Sequence, residues 1–250
     1  AIIEKYLTSP SDSIDTKATV INAAVANGMD VSLESVVRNI LPVAGNGNTL
    51  SILDAYCSKK LVDDDVFRIL NFACACKDSK TAVGALDCLK RGNQYVLVPS
   101  KTVIAMLSER DLTASDKISI LDKLFEFKVE AKSVEAVMTN YLCFNQDPVA
   151  TRKEVILYLL DKSPQLPTST VQNYVLKCAV DGNEKPAIVK AIFDKGLNTS
   201  FFNELLSKYM NSSTDSNEVK AEITDILSGG GLKIDPSSFI EYICGTQADV

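Results

Sequence analysis

Apolar residues along this chain return at the spacing of a single helix face. Val134, Val137, Met138 and Tyr141 form one stripe, Val171, Tyr174, Val175 and Cys178 a second, and Phe202, Leu205, Leu206 and Tyr209 a third. Positions i, i+3, i+4 and i+7 lie on one side of an α-helix, so each set predicts an amphipathic helix with one buried face. Ile156, Leu159 and Leu160, and then Ile188, Ala191 and Ile192, carry the same period between those stripes. The one β-like run, Tyr95 to Val98, is short and stops at Pro99. No sheet is predicted.

Between the stripes a phrase recurs: a helix end, a polar or glycine stop, one apolar residue, then a Ser, Thr, Asp or Pro start. Residues 26–32, 161–168, 194–200 and 228–236 are its clearest copies. Glycine past a helix end supplies the left-handed residue there, and Ser, Thr or Asp accepts from the first orphan amides of the next helix. The last strong apolar residues before these joints are Val25, Tyr56, Leu89, Phe125, Leu160, Phe193 and Leu227, spaced 31 to 36 apart with a mean of about 34. Each unit divides at a polar turn, such as 77–80, 145–148, 181–184 or 212–215, into a first helix A and a second helix B. A lone hairpin cannot bury both of its apolar faces, so neighbours must stack. The expectation is an all-α chain of thirteen or fourteen helices: an α-solenoid of about seven ~34-residue helix-turn-helix repeats, one domain over residues 1–250. Residues 45–48 and 212–217 read as mobile turns.

Composition narrows the chemistry. With 46% apolar and 23% charged residues in 250, the chain can form a sizeable core, and no run reaches the ~18 apolar residues of a membrane span. A balance of 26 basic to 32 acidic residues, whose longest basic runs are pairs such as Lys59-Lys60, weighs against a dense phosphate-binding surface. Histidine is absent, which removes His-based triads, HExxH zinc sites and mixed Cys/His zinc sites. Residues 45–48 lack the GK[ST] of a phosphate loop and 229–231 read as a helix stop, so no enzyme, cofactor, metal or small-molecule substrate is expected. Seven cysteines without CxxC spacing (Cys57, Cys74, Cys76, Cys88, Cys143, Cys178 and Cys244) read as buried reduced thiols. That points to an intracellular reducing compartment: cytoplasm, nucleus or organelle matrix. Asp63 to Asp65 reads as a helix start complementing its dipole. A chain opening on Ala1, without a signal-peptide pattern, reads as a processed form or a fragment of a longer one.

Asparagine recurs on helix A. Asn39, Asn71, Asn140, Asn173 and Asn203 are each placed about 110–150° from the centre of the apolar stripe, off the core. Pro167 precedes Asn173 by six residues, while Pro99 and Pro236 have Ala105 and Tyr242 at that distance. On this spacing and the two-helix period of about 34, residues ~30–245 resemble pentatricopeptide repeats. The chain is also similar to tetratricopeptide repeats, though it has no Trp, and its joints resemble ankyrin repeats without their β-hairpin. The resemblance implies a right-handed solenoid, and in the pentatricopeptide case an Asn that reads bases of single-stranded RNA. Three residues before the Asn, Val36 and Val137 fit the apolar pattern, and Arg68, Thr170 and Ser200 depart from it.

A side-chain amide both donates and accepts, so one per repeat can bond the backbone of an extended peptide or the base edges of RNA. It can equally bond the neighbouring turn and hold hairpin spacing. Arg38, Arg68, Lys101 and Lys177 flank this row as added contacts or solvated charges. The functional expectation is a non-catalytic repeat scaffold that binds a protein or extended peptide along the helix A groove. The alternative is a pentatricopeptide-like single-stranded RNA-binding protein.

Overall fold

The computed structural model describes residues 2–127, 131–144, 146–162, 168–178, 184–195, 199–212, 215–234 and 236. Among them the chain is all-α, with fourteen helices and no strand. Tyr95 to Val98 contributes an isolated bridge at Leu97. The A helices are α1 (Ile2–Thr8), α3 (Leu33–Asn39), α5 (Asp63–Cys74), α7 (Ser100–Leu107), α9 (Ala131–Phe144), α11 (Thr168–Lys177) and α13 (Thr199–Ser212). The B helices are α2 (Ile14–Ala26), α4 (Asn46–Cys57), α6 (Ser79–Arg91), α8 (Ala114–Phe125), α10 (Val149–Lys162), α12 (Glu184–Asp194) and α14 (Asn217–Gly229).

The chain divides into two compact units, Ala1–Ser133 and Val134–Val250. In the first, α2, α4, α6 and α8 pack each on the next, and so do α1, α3, α5 and α7. In the second, α10, α12 and α14 form the B row, and α11 packs on α13. These neighbour contacts are those of a helical repeat, and the period of about 34 reappears as side-chain reach. Lys59 Nζ donates to Val25 O, Arg68 pairs with Glu34, Lys77 with Asp111 and Lys195 with Asp161, each 34 residues away. Among the described residues, no helix is long and apolar enough to cross a membrane.

Local chemistry sets the helix starts. Ser13, Ser32, Asp78, Thr113 and Ser216 cap α2, α3, α6, α8 and α14 by accepting from an amide three residues on. Val62 offers α5 no such cap, and Asp63 to Asp65 supply negative charge in the first turn instead. Gly28, after α2, takes the left-handed φ of 81° that its joint needs. At Gly92 the need is closeness, since a Cβ there would stand 2.2 Å from the Cys57 carbonyl oxygen of α4.

The apolar stripes are buried as the 3.6-residue period requires, with Cys178 half-buried at the end of its stripe. Val25, Tyr56, Leu89, Leu160 and Leu227 are buried helix ends; for Phe125 and Phe193 the buried residue is one earlier, Leu124 and Ile192. Residues 46–48 are the first turn of α4 rather than a mobile turn, because Asn48 Nδ2 donates to Asp15 Oδ1 (2.9 Å) on the neighbouring α2. Pro167, Tyr242 and Cys244 lie outside the described residues.

Candidate functional site

A polar residue is buried in the first turn of every B helix: Lys17, Thr49, Thr81, Lys117, Arg152, Lys185 and Lys220. Each lysine donates to a carbonyl ten residues back, at the end of the preceding A helix. Lys17 reaches Leu7 O (3.1 Å), Lys117 reaches Leu107 O (2.8 Å), Lys185 reaches Val175 O (3.1 Å) and Lys220 reaches Met210 O (3.1 Å). Thr49 Oγ1 makes the short-armed version to Leu41 O at 3.5 Å. A cation there satisfies carbonyls that no helical amide reaches and meets the negative end of the helix dipole.

Tyrosine and aspartate extend this device. Tyr141 Oη donates to Asp147 (2.6 Å) and Tyr209 Oη to Asp215 (2.7 Å), and Asp12 stands at the same six-residue spacing after Tyr6. Burial and then its aspartate bond raise the Tyr141 hydroxyl pKa far above the usual value. Asp215, half-buried, also accepts from the buried Lys185 at 2.6 Å, and Arg152 pairs with Glu184, both of them buried. Val180 stands where an aspartate would follow Tyr174, whose buried hydroxyl has no hydrogen-bond partner among the described residues.

These bonds fix a register on which the five asparagines can be placed. Asn39 and Asn173 both stand two residues before a capped carbonyl, at Leu41 and Val175. Asn140 precedes Tyr141 as Asn173 precedes Tyr174, so these three share one position. Asn71 Oδ1 accepts from Thr102 Oγ1 (3.1 Å) on α7, and the Thr139 and Thr170 hydroxyls repeat that contact at 2.8 Å. Asn71 therefore corresponds to Thr139, one residue short of Asn140. Asn203 lies seven residues before Met210, at a different level of its helix, and its Oδ1 is buried without a hydrogen-bond partner among the described residues. Asn39 is exposed and donates to Ser35 O (2.9 Å) of its own helix; Asn140 and Asn173 are half-buried.

The flanking cations are unequal. Arg68 is held by Glu34 and Asp65, both at 3.2 Å, and Arg38 lies 3.5 Å from Glu34, whereas Lys101 and Lys177 are exposed. Burial pushes the thiols of Cys57, Cys74, Cys88 and Cys143 up to about 12, so they carry no thiolate at neutral pH. Among the described residues, no three His, Cys, Asp or Glu side chains are grouped to hold a metal ion.

The joints of the first unit carry what the sequence pattern left unmarked. Tyr56 Oη, at the end of α4, donates to Val31 O (2.9 Å), Gln94 Nε2 to Lys59 O (2.8 Å), and Leu61 N to Gln94 Oε1 (3.3 Å), so joint 27–32 is tied to the end of α4 and joints 58–62 and 92–99 are tied to each other. A cleft of about 400 Å³ opens at the first two. Met29, Val62 and Tyr95, spaced by 33 and 33, are exposed on these joints. Equal spacing of large apolar residues outside the stripes is the signal that could have found them.

Fold and site together define paired helices joined by short loops, with a polar seal inside each pair and amides and ion pairs along the A helices. No protein-family model, curated protein or solved structure matches the chain.

Proposed function

We propose that this chain is a non-catalytic scaffold, a right-handed α-solenoid of about seven repeats, that binds a protein or an extended peptide along its A helices. One observation carries the choice of ligand. Of the four cations that flank the asparagines, Arg38 and Arg68 are both drawn onto Glu34, which leaves two exposed lysines, Lys101 and Lys177, one in each unit, rather than a continuous basic stripe. A phosphate backbone would have to break those pairs before gaining contacts, whereas peptide amides find donors and acceptors in Asn39, Asn140 and Asn173. The shared register of Asn140 and Asn173, on A helices of the second unit joined by the Thr139–Thr170 hydroxyl contact, supports a ligand that runs from one pair to the next.

The test replaces Asn39, Asn140 and Asn173 with Ala together and measures binding to an immobilised library of extended peptides, with circular dichroism to follow the fold. The reading expects at least a tenfold loss of affinity for the selected peptides with helicity unchanged. Filter binding to single-stranded RNA that is tight at low salt and falls steeply as salt rises would favour the RNA reader instead.

A further inference from the structure

We infer that the joint edge of the first unit is a docking site for an extended segment of another protein, with an apolar side chain about every third residue and lysine or arginine between. The inference rests on the peptide-scaffold reading only for the class of partner; it assigns a different surface and a sequence pattern.

The apolar part comes from the joints. Met29, Val62 and Tyr95 are 54%, 64% and 57% exposed, with Leu97, 45% exposed, beside Tyr95; Val20 on α2 and Val43 after α3 are exposed too, but away from the joints. The joint residues are not at random places. Met29 and Tyr95 each precede a capped A-helix carbonyl, at Leu41 and Leu107, by twelve residues, and Val62 falls midway between them. Hydrogen bonds tie the first loop to the end of α4 and the second and third loops to each other, and the Tyr95 ring is held against the buried Phe127 with centroids 5.8 Å apart. Tyr95 is thus fixed as an exposed platform.

Charge selects the occupant. Asp30, beside Met29, and Asp63 and Asp64, beside Val62, are exposed and make no ion pair among the described residues. Of the nearby cations, Lys59 is bonded to Val25 O and Arg68 to two carboxylates, which leaves Lys60 and, on α7, the exposed Lys101 against the three carboxylates. The uncommitted charge on this edge is negative, and it calls for basic residues in the ligand. Spacing sets the pattern. Packed helices lie about 8–10 Å apart, and an extended chain advances about 3.3 Å per residue, so every third ligand residue meets the next joint. The cleft lined by residues 29–34, 59–61, 65 and 68, beside Val62, receives the first of them.

The experiment uses the whole chain and fluorescein-labelled synthetic peptides read by fluorescence anisotropy: Leu-Lys-Ser-Leu-Lys-Ser-Leu, the same peptide with Glu for Lys, and a version with leucines at every second position. The first should bind best. A Met29→Ser, Val62→Ser, Tyr95→Ser variant should lose at least tenfold in affinity for it while staying folded by circular dichroism, with only the small drop in thermal midpoint that losing the Tyr95–Phe127 contact brings. Asp30→Asn with Asp63→Asn and Asp64→Asn should weaken it severalfold, more at low salt than at high. Equal binding of the acidic peptide overturns the inference, as does an affinity untouched by the serine variant. So does concentration-dependent self-association, seen in the analytical ultracentrifuge and abolished by the serine variant, since the edge would then be taken by a second copy. If peptide binding falls with the asparagine variant and not with the serine one, this inference fails and the A-helix reading survives; the reverse pattern separates them the other way.

Discussion

The two units fill one structural slot with different chemistry. At the first turn of the B helices the first unit uses Lys17, Thr49, Thr81 and Lys117, two hydroxyls and two ammonium groups, and both lysines meet backbone carbonyls. The second unit uses Arg152, Lys185 and Lys220, and two of these also take a carboxylate from the next helix pair, Glu184 and Asp215. The four lysines and Thr49 meet one demand, a donor for the carbonyls at the end of an A helix, whereas the Thr81 hydroxyl donates to Asp78 at its own helix cap. What differs is coupling. A lysine on a carbonyl seals its own pair, whereas Arg152 with Glu184 also ties one pair to the next, and each partner then depends on the other to offset a buried charge.

The edge of the joints differs in the same sense. The first unit exposes Met29 and Tyr95 twelve residues before its capped carbonyls, where the sequence of the second has Ser163 and Asn198. A peptide-binding edge is therefore expected of one unit alone.

The largest break in this comparison is Arg152→Met. It leaves the Glu184 carboxylate buried without its partner and should cost about 3–5 kcal/mol in urea unfolding. Adding Glu184→Leu should recover most of that loss; a double variant as unstable as the single one would mean that the pair is not what couples these helices. Next is the contrast of Lys117→Met with Thr49→Val. The first strips a fully buried donor from Leu107 O and should cost about 1–3 kcal/mol, while the second removes only bonds of 3.4–3.5 Å and should cost less than about 1. Equal losses would show that the slot values shape over the hydrogen bond.

The smallest effect is a pH dependence in the first unit. Ser79 and then Thr113 donate to Asp116 and hold its carboxyl pKa below the ordinary 3.8. A lowered folded value means that the stabilisation is complete above the unfolded pKa and is lost as pH falls through the folded one. Asp116→Asn should flatten the acid limb of stability against pH below about 4 and leave the neutral region without a pH slope of its own. An unchanged acid limb would place the acid sensitivity elsewhere.

Much of the fold was legible because burial follows the helix period. The stripes through Val137, Val171 and Leu205 needed only that a helix presents every third or fourth residue to one side. The asparagine row was half legible. Asn39, Asn140 and Asn173 do share a position, but Asn71 and Asn203 do not, because the A helices differ in length, from 7 residues in α3 to 14 in α13, and counting along the chain cannot see that. Lys17, Lys117, Lys185 and Lys220 were hidden for another reason: lysine is usually solvated, and only the placement of a neighbouring helix end turns it into an interior donor. The phrase Tyr, six residues to Asp, five more to Lys or Arg, at Tyr6, Tyr141 and Tyr209, was present all along as a clue.

By itself, then, the chain's pattern determined that it would be helical, paired and periodic at about 34 residues, since these follow from local period, caps and the need to bury one face per helix. Tertiary structure alone decided which polar residues went inside, which asparagines came level, and that Met29, Val62 and Tyr95 would share an exposed edge. Those outcomes depend on which helix end lies over which side chain, and that is a relation between segments that no single segment contains.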